Sequence, residues 1–109
     1  MRPVTISVTG VAASVPVPVD QYQNPTDIGI EVIPGAGATV TVQYTLDDVF
    51  AVGYNPATGN WFSVSAAALV GAVAAVAAKI TDKATAFRMN QTVGATTSTM
   101  RLVQSGVMG

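Results

Sequence analysis

The chain alternates. Residues 39–46 read Thr-Val-Thr-Val-Gln-Tyr-Thr-Leu, which sets Val40, Val42, Tyr44 and Leu46 on one face and Thr39, Thr41, Gln43 and Thr45 on the other. Successive side chains of a β-strand point to opposite faces, so this pattern buries one side and wets the other only in an extended chain. The same period recurs in residues 3–9, where Val4, Ile6 and Val8 alternate with Thr5, Ser7 and Thr9, and in residues 28–33, where Ile28, Ile30 and Val32 face one way. In residues 14–19, Val15, Val17 and Val19 alternate with Ser14, Pro16 and Pro18. Proline gives no backbone donor, which predicts a sheet edge or an extended arm there. Residues 61–65 oppose Trp61, Ser63 and Ser65 to Phe62 and Val64, a further short strand. Residues 84–93 and 97–106 predict a closing pair of strands joined by a turn near Gly94, with Phe87, Met89, Met100 and Leu102 in the core.

Glycine and proline punctuate these runs. Gly35-Ala36-Gly37 lies between two strands and predicts a hairpin turn; it lacks the third glycine and the following helix of a dinucleotide fingerprint. Residues 66–78 are rich in alanine, which favours helix, but Val70, Gly71, Val73 and Val76 weaken it, so one short helix and a loosely extended loop both fit. About seven to eight short strands in 109 residues predict an all-β fold, a single antiparallel β-sandwich or jelly-roll-like domain over residues 1–109. Residues 1–10 read as an N-terminal strand or arm able to contact a partner.

Composition narrows the function. Charged residues make up 10% and the mean hydropathy is +0.46, whereas a soluble domain typically carries about 25% charged residues. Such a surface suits burial against neighbours, and a homo-oligomer is expected. The net charge is −1, and Arg2, Lys79, Lys83, Arg88 and Arg101 form no block, which argues against nucleic acid as a partner. Cysteine and histidine are both absent, removing disulfides, thiolate chemistry and the commonest metal ligand. The alternating start shows no signal-peptide core. The most lipid-like run, residues 66–78, has 13 residues, short of the ~20 needed to span a bilayer.

Asp47 and Asp48 follow the best strand directly. Strand neighbours point apart, so the two carboxylates would converge only where the chain bends; Asp47 is expected to cap a turn or bulge through backbone N–H groups, with calcium or magnesium ligation as the alternative. Asp20 and Asp27 lack the spacing of a Ca²⁺ loop. Serine has no histidine to activate it, and Lys79 and Lys83 stand in no nucleophile motif. The chain is therefore expected not to be an enzyme, with no catalytic residue, cofactor, metal or small-molecule substrate. Trp61 or Phe62 is expected to plug one end of the core; with Tyr54, Trp61 alternatively offers a sugar-stacking platform. Arg88 and Arg101 are expected on the solvent face or at an interface.

Taken whole, the chain resembles a group of small virion proteins of tailed bacteriophages. The residues that carry the likeness are "TVTVQYTLDDVFA", the Trp of "NWF", and the closing "ATAFRMNQTVGATTSTMRLVQSG", in which "AFRMN" and "LVQSG" fill the places of the group's recurring elements. The resemblance implies a capsid decoration or cement protein on the outer shell of the virion, with the major capsid protein lattice as partner. A tail or neck adaptor or fibre-attachment module is the first alternative, and a carbohydrate-binding module the second. The expected contacts are Arg2, Val4 and Ile6 of the N-terminal strand, Val15, Val17 and Val19 of the proline-bearing run, and Trp61, Leu69 and Val73. Strand addition and burial of small side chains would supply the binding.

Overall fold

A computed structural model describes residues 4–18, 28–49, 51–55, 58–80 and 84–104. Nine strands among them form two antiparallel sheets, the all-β sandwich expected. In the first sheet the order is β1 (Val4–Thr9), β9 (Thr97–Gln104), β4 (Ile28–Ile33) and β7 (Val76–Ile80). In the second it is β2 (Ala12–Ala13), β8 (Ala86–Val93), β5 (Thr39–Thr45) and β6 (Phe62–Ser63), with β3 (Val17–Pro18) also paired to β8.

The alternation builds the core directly. Val8 of β1, Ile28, Ile30 and Val32 of β4, Val40 and Val42 of β5, Phe87 and Met89 of β8, and Met100 and Leu102 of β9 are all buried between the sheets. Register keeps these residues opposite one another, Ile30 against Leu102, Val32 against Met100 and Val42 against Met89. Each such side chain, fully removed from water, stabilises the fold by about 1.5–3 kcal/mol.

Several expectations need correction. Residues 34–38 are no hairpin, because β4 and β5 lie in different sheets; the segment is an arch that carries the chain across the sandwich. Pro34 cannot extend the β4 ladder, the Ala38 amide donates to the Gly35 carbonyl, and Gly37 takes a φ of 74°. The turn at residues 94–96 is a second arch, and it stacks on the first: the Thr96 hydroxyl donates to the Ala36 carbonyl, and the Gly35 amide donates to the Ser98 hydroxyl. Residues 66–78 hold no α-helix and no loose loop, and their one helical turn is 3-10. A 3-10 turn (Ala67–Leu69) sinks Leu69 into the core, Gly71 reverses the chain at a φ of 68°, and Ala72 bridges to Val40 before β7 begins. The left-handed glycine and the β-branched valines decide against helix there.

Two more corrections concern single side chains. The inward pattern of β5 fails at its end, where Thr45 is buried and Leu46 is 62% exposed, because β5 stops at Thr45. In the proline-bearing run Val17 is buried while Val15 is 70% exposed, so the two do not share an environment. Val19 lies outside the described residues.

Gln91 holds the second arch from inside. Its fully buried Nε2 donates to the carbonyls of Gly94 at 3.1 Å and Thr96 at 2.8 Å, while its Oε1 has no partner among the described residues. Gln91→Leu removes a donor from both carbonyls, leaving Thr96 with the longer bond from the Gly10 amide alone, and is expected to cost about 1–2 kcal/mol, read from the midpoint of urea unfolding. An unchanged midpoint would show that the arch does not depend on this side chain.

Candidate interaction surfaces

Where β5 ends, Asp47 acts as the expected cap. Its Oδ2 accepts the Asn60 amide at 2.7 Å, its own amide donates to the Thr45 hydroxyl at 3.0 Å, and the Thr45 hydroxyl donates to the Asn60 carbonyl at 2.8 Å. Thr85 ties the node to the other side of the strand by donating to the Asp47 carbonyl at 2.6 Å. These bonds close the loop from β5 to β6 over the strand end and account for the burial of Thr45. The Asn60 amide is the main cause of an Asp47 pKa below the ordinary 3.8, against an opposing effect of burial, with the Asn60, Thr45 and Tyr54 side chains adding to the lowering.

A carboxyl whose folded pKa is lowered stabilises the protein above its unfolded pKa and loses that contribution as pH falls through the lowered value. Asp47→Asn is therefore expected to melt below the wild type at neutral pH, with the gap closing as pH drops below the ordinary 3.8. A gap that stays constant from neutral pH down to strong acid would contradict this role for the charge.

Neither aromatic residue plugs the core. Trp61 is half-buried on the outer face of its sheet, with the Arg88 guanidinium 4.3 Å from its ring centroid and the Arg88 Nε donating to Gln43 at 2.9 Å. Partial burial lowers the Arg88 pKa, with the Tyr54 phenol pulling the other way. Phe62 is 53% exposed at the sheet edge, its ring tilted against Tyr44 with centroids 5.9 Å apart. The residues just after Trp61 and Phe62 that do join the core are Val64 and Leu69. Arg101 lies on the solvent face as expected, paired with Glu31 at 3.1 Å.

Among the described residues, three of the four sheet edges are blunted. Pro16 and Pro18 interrupt the β2–β3 edge, β6 is two residues long, and β7 carries the exposed Lys79. Charges, prolines and short strands are how natural sheets prevent further pairing. By contrast β1 has six residues, no charge and no proline, and among the described residues no strand lies beyond it. Because β1 packs beside β2 and β8, its edge and the β2–β3 edge share one side of the sandwich. Val11 and Val15, 71% and 70% exposed, stand on that side, with Val4 and Ile6 half-buried at its rim.

Of the expected contact residues, then, Val4, Ile6 and Val15 come together on the open side, and the exposed Val73 lies away from it beyond the 3-10 turn. Leu69 and Val17 belong to the interior and offer no surface, which corrects their assignment as contacts. Arg2 lies outside the described residues. Val11 carries no sequence signal, for it falls between alternating runs, in the short link from β1 to β2. A shallow, mostly apolar groove of about 540 Å³ also crosses the outer face of the first sheet, over Gly29 and Ala77 and beside Lys79 and Arg101. Among the described residues no group of three or more acidic side chains could hold a metal, and no helix is long and apolar enough to cross a membrane.

No family model, curated protein or solved structure matches this chain. Function must accordingly be read from the open side and its chemistry.

Proposed function

We propose that this chain is a structural protein of a bacteriophage particle that decorates the outer capsid surface and reinforces the shell. The observation that carries the reading is the open side of the sandwich, where an unblunted strand edge and the exposed Val11 and Val15 leave hydrogen-bonding and apolar surface to be covered. The sparse charge and the resemblance to small virion proteins support it. A decoration protein stabilises a shell by binding the assembled lattice better than free subunits, a mass-action effect that grows with copy number. The stacking of Arg88 over Trp61 leaves the carbohydrate reading without its platform on that ring face.

Val11→Asp with Val15→Asp tests the reading without touching the core, since both side chains are exposed. On capsids from the same source, the double variant is expected to bind at least tenfold fewer copies than the wild type while melting at a similar temperature. Undiminished binding would overturn the assignment of this side. Hundreds of wild-type copies per particle fit the shell, whereas a dozen or fewer would move the protein to the tail or neck.

A further inference from the structure

The backbone of β1 specifies what can complete its edge. The Gly10 amide donates to the Thr96 carbonyl at 3.4 Å, and the ladder continues as Val8 to Ser98, Ile6 to Met100 and Val4 to Leu102. In an antiparallel ladder, pairs that exchange backbone hydrogen bonds alternate with pairs whose N–H and C=O groups point away from the partner. Val4, Ile6, Val8 and Gly10 therefore bond to β9, and Thr5, Ser7 and Thr9 turn their backbone groups toward the open edge. The side chains agree. The hydroxyls of Ser7 and Thr99 meet at 3.3 Å and those of Thr9 and Thr97 at 2.8 Å, as suits the closer, non-hydrogen-bonded pairs.

We infer that the strand completing this edge is β1 of a second copy, paired antiparallel about a two-fold axis at Ser7. This names the partner for the strand addition proposed above and rests on that reading. Residues directly opposite in a sheet share a face, so the axis must pass through a residue and not between two. An axis at Ser7 sets Ser7 against Ser7, Thr5 against Thr9 and Ile6 against Val8. Every outward N–H and C=O of Thr5, Ser7 and Thr9 is then matched on both copies. An axis at Ile6 would instead set Thr9 against Pro3, which has no N–H to give. The strand is its own complement in other respects too. Hydroxyl meets hydroxyl on the outer face, aliphatic meets aliphatic on the inner face, and the absence of charge from residues 4–9 removes any repulsion between copies. The half-buried Ile6 would be covered by Val8 of the second copy.

The absence of cysteine makes the register testable. Ser7→Cys places a single thiol at the axis, where a hydrogen-bonded antiparallel pair has Cα atoms about 5.5 Å apart, inside the disulfide range of about 4.4–6.8 Å. Thr5→Cys would lie about 14 Å from its own copy. The expected result is a covalent dimer on oxidation of Ser7→Cys and none for Thr5→Cys. Wild-type protein should have twice the chain mass under native conditions, and Ser7→Pro, which removes a donor at the edge and the hydroxyl contact with Thr99 but no backbone bond to β9, should have the chain mass. A wild-type monomer, or a dimer that survives Ser7→Pro without cross-linking at the Ser7→Cys thiol, overturns self-pairing. Capsid binding by Ser7→Pro then separates the two readings. Loss of binding leaves strand addition standing with a capsid strand as occupant, and undiminished binding removes strand addition altogether.

Discussion

Phe87→Ala is expected to cost about 3–5 kcal/mol, a large part of the 5–15 kcal/mol that holds a domain together. Phe87 is completely buried near the start of β8, directly across from Val17 on one neighbour and Tyr44 on the other. Sheets flank the site on both sides, so the cavity left by the ring cannot collapse without moving a ladder, and the cost should fall in the upper part of the range. Urea unfolding followed by Trp61 fluorescence measures it. A loss below about 1 kcal/mol would mean that this end of the sandwich closes around the gap and is packed less rigidly than the register implies.

Gly94→Ala is expected to cost about 3 kcal/mol, the sum of left-handed strain and overpacking. Gly94 has a φ of 102°, and a Cβ there would stand 2.9 Å from the Ala38 Cα and 3.0 Å from the Gly37 carbonyl oxygen. Those atoms are backbone of the first arch, so the added methyl pushes the two stacked arches apart. Gly37→Ala is the control: its φ of 74° carries the strain, but nothing lies within 4 Å of the added Cβ, and about 1–2 kcal/mol is expected. Equal losses at the two positions would show that the arches are not in register-fixing contact.

Much of this architecture is legible in the sequence because it follows from period two. The boundaries of β4, the inward faces of β8 and β9, and the edge placement of the proline run all come from alternation and from proline's missing donor. What alternation does not encode is which sheet a strand joins. Residues 34–38 carry the same glycine and proline signals whether they turn a hairpin or arch between sheets, and only long-range pairing of β4 with β9 and of β5 with β8 decides. Val76–Ile80 escaped recognition because alanine offers no contrast between faces, and its strand state is imposed by pairing with β4. At the candidate surface, Val4, Ile6 and Val15 were legible as extended apolar residues, whereas Leu69 looked exposed until its 3-10 turn drew it inward. The capping role of Asp47 is legible because neighbouring side chains on a strand point to opposite faces, a constraint that needs no tertiary knowledge.

On the reading proposed above, the open side of the sandwich is covered in a larger assembly. Native mass spectrometry of the purified protein, alone and with capsids from the same source, tests it most directly. The expected result is a discrete dimer that loads onto capsids in hundreds of copies. A monomer that ignores capsids at every concentration tried would contradict it.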